Sequence, residues 1–172
     1  MLFEAMHTGH SVYATIHADT AEQALRRLTT PPIDLPESEI EALPLIVVMF
    51  RQRRAGIRRV LQVAELVPSF LVRGEERLKI NTLYRWRART DSIMKMENSI
   101  RLFDQLQSYT GLTESEIKED LKEKEKVLDW MAQQKITEID QVGSLVSRYY
   151  WEKDKLVDAI EKNKSFKSVI EA

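Results

Sequence analysis

Three histidines fall within the first seventeen residues, as His7-x-x-His10 and then inside Thr15-Ile16-His17-Ala18-Asp19. Imidazole can bind metals, carry protons and donate hydrogen bonds to phosphate near neutral pH, so the cluster has three readings. As a metal centre, His7, His10, His17 and Asp19 supply enough ligands in number. The spacing opposes it, because an extended strand leaving His10 would carry His17 roughly 20 Å away at about 3.3 Å per residue. As an anion site, His10 opens a strand and His17 closes it, just before a helix that starts near Thr20. Ligands of α/β sheets gather beyond the carboxyl ends of parallel strands, where helix N-termini aim N–H groups at phosphate oxygens. His17 would then donate to a nucleotide phosphate. As plain structure, His10 caps the preceding helix and His17 is a strand-end residue satisfied by its neighbours.

A second group is cationic. Arg51, Arg53, Arg54, Arg58 and Arg59 flank a turn and, with Arg26 and Arg27, make the first part of the chain locally basic. Guanidinium forks match phosphate oxygens and keep their charge, which would let one such arginine reach a phosphate held by a neighbouring subunit. Nucleic-acid contact is opposed by two features. No aromatic residue alternates with these arginines as a stacking platform, and Glu37, Glu39, Glu41 and Glu65 are close enough in sequence to pair with them. A solvated, partly paired surface is expected. Equally informative, the chain has no Gly-x-x-x-x-Gly-Lys-Ser/Thr, Gly-x-Gly-x-x-Gly, Gly-x-Ser-x-Gly or His-Glu-x-x-His, so no complete active site is legible. The Glu/Lys run over 114–126 alternates sign as a solvated helix face does, and Trp86, Trp130 and Trp151 read as core.

The elements that must position these groups are set by periodicity and punctuation. Residues 2–6 read as the last turns of a helix that ends at Gly9; no capping residue precedes them, which predicts further sequence upstream. Residues 11–17 are β-prone on both faces, as in a strand covered by helices. Asp19 or Thr20 caps a helix with Glu22 or Gln23 in capping-box position and Ala21, Ala24, Leu25 and Leu28 as its stripe. A short helix between Pro36 and Pro44 precedes a buried strand over 45–50, completing a βαβ crossover. Residues 57–67 and a hairpin of 69–73 and 78–86, turning at Gly74-Glu75-Glu76, are then expected as antiparallel strands. In the last of them Leu78, Ile80, Thr82, Tyr84 and Trp86 share one face of a half-exposed edge. Everything after residue 90 reads helical: Asn98 caps one helix, Thr113 with Glu116 a longer one, and Thr137 with Asp140 the next, before a fourth built on Leu156, Val157 and Ile160.

Composition bounds the class. The chain has 172 residues, 43% of them hydrophobic, with five Gly and five Pro, which is globular and excludes collagen-like or wholly disordered chains. With no cysteine, it has no disulfide framework, thiolate zinc site or Cys nucleophile. No apolar run approaches the ~20 residues needed to cross a bilayer, and the N-terminus lacks a basic n-region, so a cytosolic protein is expected. Charge nearly cancels at −1, but residues 1–90 hold thirteen Lys/Arg against ten Asp/Glu, and residues 91–172 thirteen against seventeen. Twelve of the first thirteen are Arg, while the second part is Lys-rich, which divides the chain near residue 90 into an α/β part and a helical part.

The run Phe3-Glu4-Ala5-Met6-His7-Thr8-Gly9-His10-Ser11-Val12-Tyr13-Ala14-Thr15-Ile16-His17-Ala18-Asp19 closely resembles the histidine box of the type II/type IV secretion traffic ATPases. Arg27-Leu28-Thr29-Thr30-Pro31-Pro32-Ile33, and Arg58-Arg59-Val60 through Glu65-Leu66, are similar to the segments beyond that box in the archaeal members, which drive pilus or archaellum assembly. Leu78-Lys79-Ile80-Asn81-Thr82-Leu83-Tyr84-Arg85-Trp86 with Arg89-Thr90-Asp91 resembles their C-terminal extension, and the helices after Asn98 match it more loosely. The resemblance implies the C-terminal half of a RecA-like (P-loop NTPase) sheet with antiparallel strands added over 1–90, then a small helical bundle over 91–172. It implies a hexamer that hydrolyses ATP with Mg between subunits at a membrane platform protein, on the cytoplasmic face, with no nucleic acid involved. Carried over by position, His10 and His17 are the two box histidines of the nucleotide site. Thr15, Asp19, Arg26 and Arg27 are the accompanying nucleotide-site or inter-subunit candidates, and no metal ligands are implied. The phosphate-binding lysine and catalytic glutamate have no counterpart here, so the chain alone is expected to bind no cofactor and hydrolyse no ATP. The competing class is an interaction module without chemistry that docks on a complete ATPase or on the platform protein.

Overall fold

The densest aliphatic and β-branched stretches lie over 45–48 and 57–67, and there the chain forms sheet. In the computed structural model, which describes residues 2–70, 76–162 and 164–170, β1 (Leu45–Gln52), β2 (Ile57–Phe70), β3 (Glu76–Arg87) and β4 (Ser92–Lys95) make one antiparallel sheet in the order β1-β2-β3-β4. Hairpin connections suffice for such a meander, so no crossover is needed. Four helices accompany it: α1 (Leu2–His7), α2 (Ala21–Thr29), α3 (Glu37–Ile40) and α4 (Arg101–Thr110). Residues 111 onward form a second compact unit of α5 (Glu114–Gln133), α6 (Ile139–Trp151), α7 (Lys153–Glu161) and α8 (Phe166–Ile170). The compact units therefore divide at 110/111, later than the composition shift near residue 90, because β4 and α4 belong with the sheet.

Three expectations are corrected. Residues 11–17 form no strand, and the βαβ crossover is absent: β1 pairs only with β2, antiparallel, and no described strand pairs with 11–17. A β-prone sequence without a pairing partner has nowhere to place its backbone N–H and C=O groups but solvent, and Tyr13 is 99% exposed. Second, the chain after residue 90 is not wholly helical, since β4 pairs with the end of β3. Third, β3 does not alternate strictly, and it is an edge only before residue 84, since β4 pairs with its last four residues. The register jumps from Ala64↔Thr82 to Val63↔Tyr84, leaving Leu83 as the extra residue of a β-bulge; Leu83 is buried while Tyr84 is exposed. A second bulge, between Val48 and Met49, leaves Leu61 of β2 unmatched. The expected turn at Gly74 and Glu75 lies outside the described residues, and Glu76 already opens β3. β2 runs on through Pro68 as one 14-residue strand, and Leu78, opposite Pro68, donates its N–H to Glu37 Oε2 of α3 at 2.6 Å.

Two packed clusters hold the units. In the first, Ala21 of α2 meets Val48 and Ala64 of the sheet, flanked by Ile46, Leu61 and Ile80. Small residues at Ala21 and Ala64 let helix and strand approach closely. In the second unit Val127, Trp130 and Met131 of α5, Leu145 and Tyr149 of α6, Leu156 and Ala159 of α7, and Val169 of α8 form the core. Its long helix starts where the sequence predicts, with a capping box: Thr113 Oγ1 accepts from the Glu116 N–H at 3.3 Å, and Glu116 Oε2 accepts from the Thr113 N–H at 2.7 Å. Of the three tryptophans, only Trp130 is core; Trp151 is 84% exposed and Trp86 hydrogen-bonds at the sheet end. Among the described residues no helix is long and apolar enough to cross a membrane.

Candidate functional site

The histidine segment is held at its two ends and open between them. At the first end α1 closes with a Schellman motif: Gly9, at φ +87°, donates to the Met6 carbonyl at 3.0 Å, and His10 N–H to the Ala5 carbonyl at 3.0 Å. His10 Nδ1 lies 3.0 Å from Thr8 Oγ1 and 3.2 Å from the Ala5 carbonyl, so this imidazole also serves the helix end, which agrees with its reading as a cap. Its Nε2 edge has no partner among the described residues. At the second end Thr20 caps α2 by accepting from the Gln23 N–H at 3.2 Å, and Gln23 Oε1 accepts from the Asp19 N–H at 2.9 Å. Arg27 on the next turns of α2 donates to the His17 carbonyl at 2.6 Å, fixing the backbone that displays the second imidazole.

The sheet anchors this end from below. Gln62 of β2 is buried; its Oε1 accepts from the Ala21 N–H of α2 at 3.1 Å, and its Nε2 donates to Thr82 Oγ1 of β3 at 2.8 Å. So the start of α2 is fixed to the two central strands, and the exposed His17, Thr15 and Asp19 are carried beside it. No hydrogen bond among the described residues joins His10 to His17, and no group of three or more His, Asp or Glu there could hold a metal ion. Arg26 points elsewhere, into an open groove of about 590 Å³ between α2 and β3 that Arg77 and Lys79 also line. As arranged, the segment can donate and accept hydrogen bonds toward a group brought to it. It holds no lysine–carboxylate pair of its own for phosphoryl transfer.

The most constrained polar residue is one that sequence reasoning misassigned. Glu65, expected as a partner for the arginines, is fully buried on β2. Its Oε1 accepts from Asn81 Nδ2 at 2.7 Å and the Ile100 N–H at 2.6 Å, and its Oε2 from Ser99 Oγ at 2.9 Å and the Leu102 N–H at 3.1 Å. It caps α4 from the sheet, in place of the expected Asn98. Burial pushes its pKa up, but the Ile100 N–H, Asn81 amide, Leu102 N–H and Ser99 hydroxyl together outweigh that and hold it below the ordinary glutamate value. The available signal was a lone Glu inside an aliphatic run, which demands buried donors. Glu37 is likewise occupied, with Arg77 at 3.2 Å and Leu78. Of the five clustered arginines only Arg59 has an acidic partner among the described residues: it grips Asp91 with two bonds of 2.7 and 2.6 Å, and Trp86 Nε1 donates to the same carboxylate at 2.8 Å. The Arg59 guanidinium first, and the Trp86 indole second, bring Asp91 down to about 2.

No family model matches the chain. It is similar to an uncharacterized protein of Methanocaldococcus jannaschii, 32% identical over 149 residues that make up 85% of this chain and 20% of the relative. Two further uncharacterized proteins of that organism are 28% and 24% identical, over 68% and 86% of this chain and 43% and 27% of their own lengths. The chain thus spans between a fifth and less than half of the archaeal relatives it matches.

Proposed function

We propose that these residues are the C-terminal part of an archaeal-type secretion or pilus-assembly ATPase, in which a hexamer couples ATP hydrolysis to protein export or filament growth at a membrane platform protein. The observation that carries the reading is the run over 3–19, with His10 and His17 spaced as in the histidine box and followed at once by the N-cap Thr20 of α2. Two features support it. Both box histidines are exposed, His10 with its Nε2 edge open to a nucleotide brought by the rest of the site, and the similar archaeal proteins are longer than this chain. ATP and Mg would be held chiefly by a P-loop and its lysine, with His17 donating to phosphate beside the start of α2. Thr15, Asp19, Arg26 and Arg27 are the neighbouring candidates, Arg27 through its hold on the His17 backbone. The RecA-like sheet would be completed by parallel strands from the same polypeptide, giving residues 11–17 the pairing partner they lack here.

The test is genetic and enzymatic. The open frame upstream of Met1 should run back through a Gly-x-x-x-x-Gly-Lys-Ser/Thr motif, and the longer product should hydrolyse ATP while the 172-residue chain does not. An in-frame stop with no P-loop would overturn the proposal and leave an interaction module.

A further inference from the structure

In a meander, alternate hairpin turns lie at the same end of the sheet, so the β1–β2 turn over 53–56 and the β3–β4 turn over 88–91 are neighbours. Two contacts lock them together, the Arg59–Asp91 pair and the Phe50 and Trp86 rings with centroids 5.3 Å apart, while the Trp86 indole on Asp91 braces the β3–β4 turn itself. Six exposed arginines crown this end, Arg51, Arg53, Arg54, Arg58, Arg87 and Arg89, and none has a side-chain partner among the described residues. Asp91 is the single acid within 51–59 and 85–92, and it is already spent on Arg59 and Trp86. Arg51 and Arg58 even sit opposite each other in the register, an arrangement of like charges that destabilises a strand pair unless counter-charge is supplied. Just behind the cations lie exposed aliphatic side chains: Val47 at 51%, Met49 at 67% and Ile93 at 60%.

From this we infer that the arginine-crowned sheet end docks on an anionic bilayer through the face of β1 opposite Phe50, its guanidinium groups on headgroup phosphates and Val47 and Met49 in the interface. Guanidinium is the side chain suited to bidentate phosphate contacts, and on the face of β1 opposite the Phe50 and Trp86 rings its neighbours are aliphatic, which fits a lipid surface better than stacked bases. Val47, Met49 and Arg51 alternate along β1, so they share a face and can meet one surface together. The inference rests on the ATPase reading only for which membrane is met; vesicle binding and ATP turnover are separate measurements, and either can fail without the other.

Co-sedimentation of the 172-residue chain with vesicles of equal parts phosphatidylcholine and phosphatidylglycerol tests it. Binding should exceed that to pure phosphatidylcholine vesicles and fall steeply with added salt. The Arg53→Ala/Arg54→Ala/Arg89→Ala variant, folded by circular dichroism, should bind about a hundredfold more weakly, at roughly a factor of ten for each ~1.4 kcal/mol and ~1 kcal/mol per arginine. The corresponding triple Lys variant should retain most of the binding, and Met49→Ser should weaken it in a salt-independent way. Equal binding to the two vesicle types, an unaffected Ala variant, or tighter binding to single- or double-stranded DNA at equal phosphate concentration would overturn it.

Discussion

Strand β2 holds two helices by their N-termini, and it does so with different chemistry. On one side Gln62, a neutral amide, accepts one N–H of α2, whose own Thr20 caps a second. Three residues on, Glu65 accepts two N–H groups of α4, together with a hydroxyl and an amide. The difference reflects supply. α2 brings a local cap of its own, so a single extra acceptor completes it. The start of α4 has Ser99, which accepts from Phe103 but spends its own proton on Glu65, so a group with two charged oxygens must do the rest. A negative charge at a helix N-terminus is also favoured by the aligned peptide dipoles. One anchor is therefore insensitive to pH and the other is not.

The largest expected effect breaks the charged anchor. Glu65→Ala strands four donors in a closed site and should cost about 3 kcal/mol of stability, measured by urea unfolding. Glu65→Gln keeps the shape but replaces one acceptor by a donor, and about 1.5 kcal/mol is expected from the same measurement. Gln62→Ala on the other side removes one neutral acceptor for α2 and one donor to Thr82, and about 1 kcal/mol should be lost. A comparable loss, about 1 kcal/mol, is expected for Thr113→Ala at the capping box of α5. The subtlest effect sharpens the contrast through pH. Because the folded pKa of Glu65 lies below its ordinary value of 4.5, its contribution is complete above that value and fades as pH falls through the depressed one. Stability measured from pH 6 downward should therefore fall less in Glu65→Gln than in the parent chain, whereas Gln62→Ala should leave the slope unchanged.

How much the sequence discloses depends on how far apart the cooperating residues are. Thr20 with Gln23 and Thr113 with Glu116 are three residues apart, and both helix starts are legible. Gly9 likewise marks the end of α1. Glu65 works with residues 16 to 37 positions away, and Gln62 with one 41 positions away, so nothing local identifies either. A strand is a statement about neighbours: residues 11–17 have the propensity, but no strand of the described sheet pairs with them. The bulge at Leu83 shows the same limit, since alternation in one strand cannot reveal an extra residue opposite its partner. In the histidine segment the residue types are legible, while the Arg27 hold on His17 depends on a helix turning that side chain back ten positions.

ATP turnover by the longer protein, with His17 replaced by Ala, decides whether the histidine segment serves a nucleotide. Turnover should fall about a hundredfold below the parent, the scale of losing one phosphate-directed donor, with folding and assembly of the proposed hexamer intact. Turnover equal to the parent would contradict that role and remove His17 from the nucleotide site.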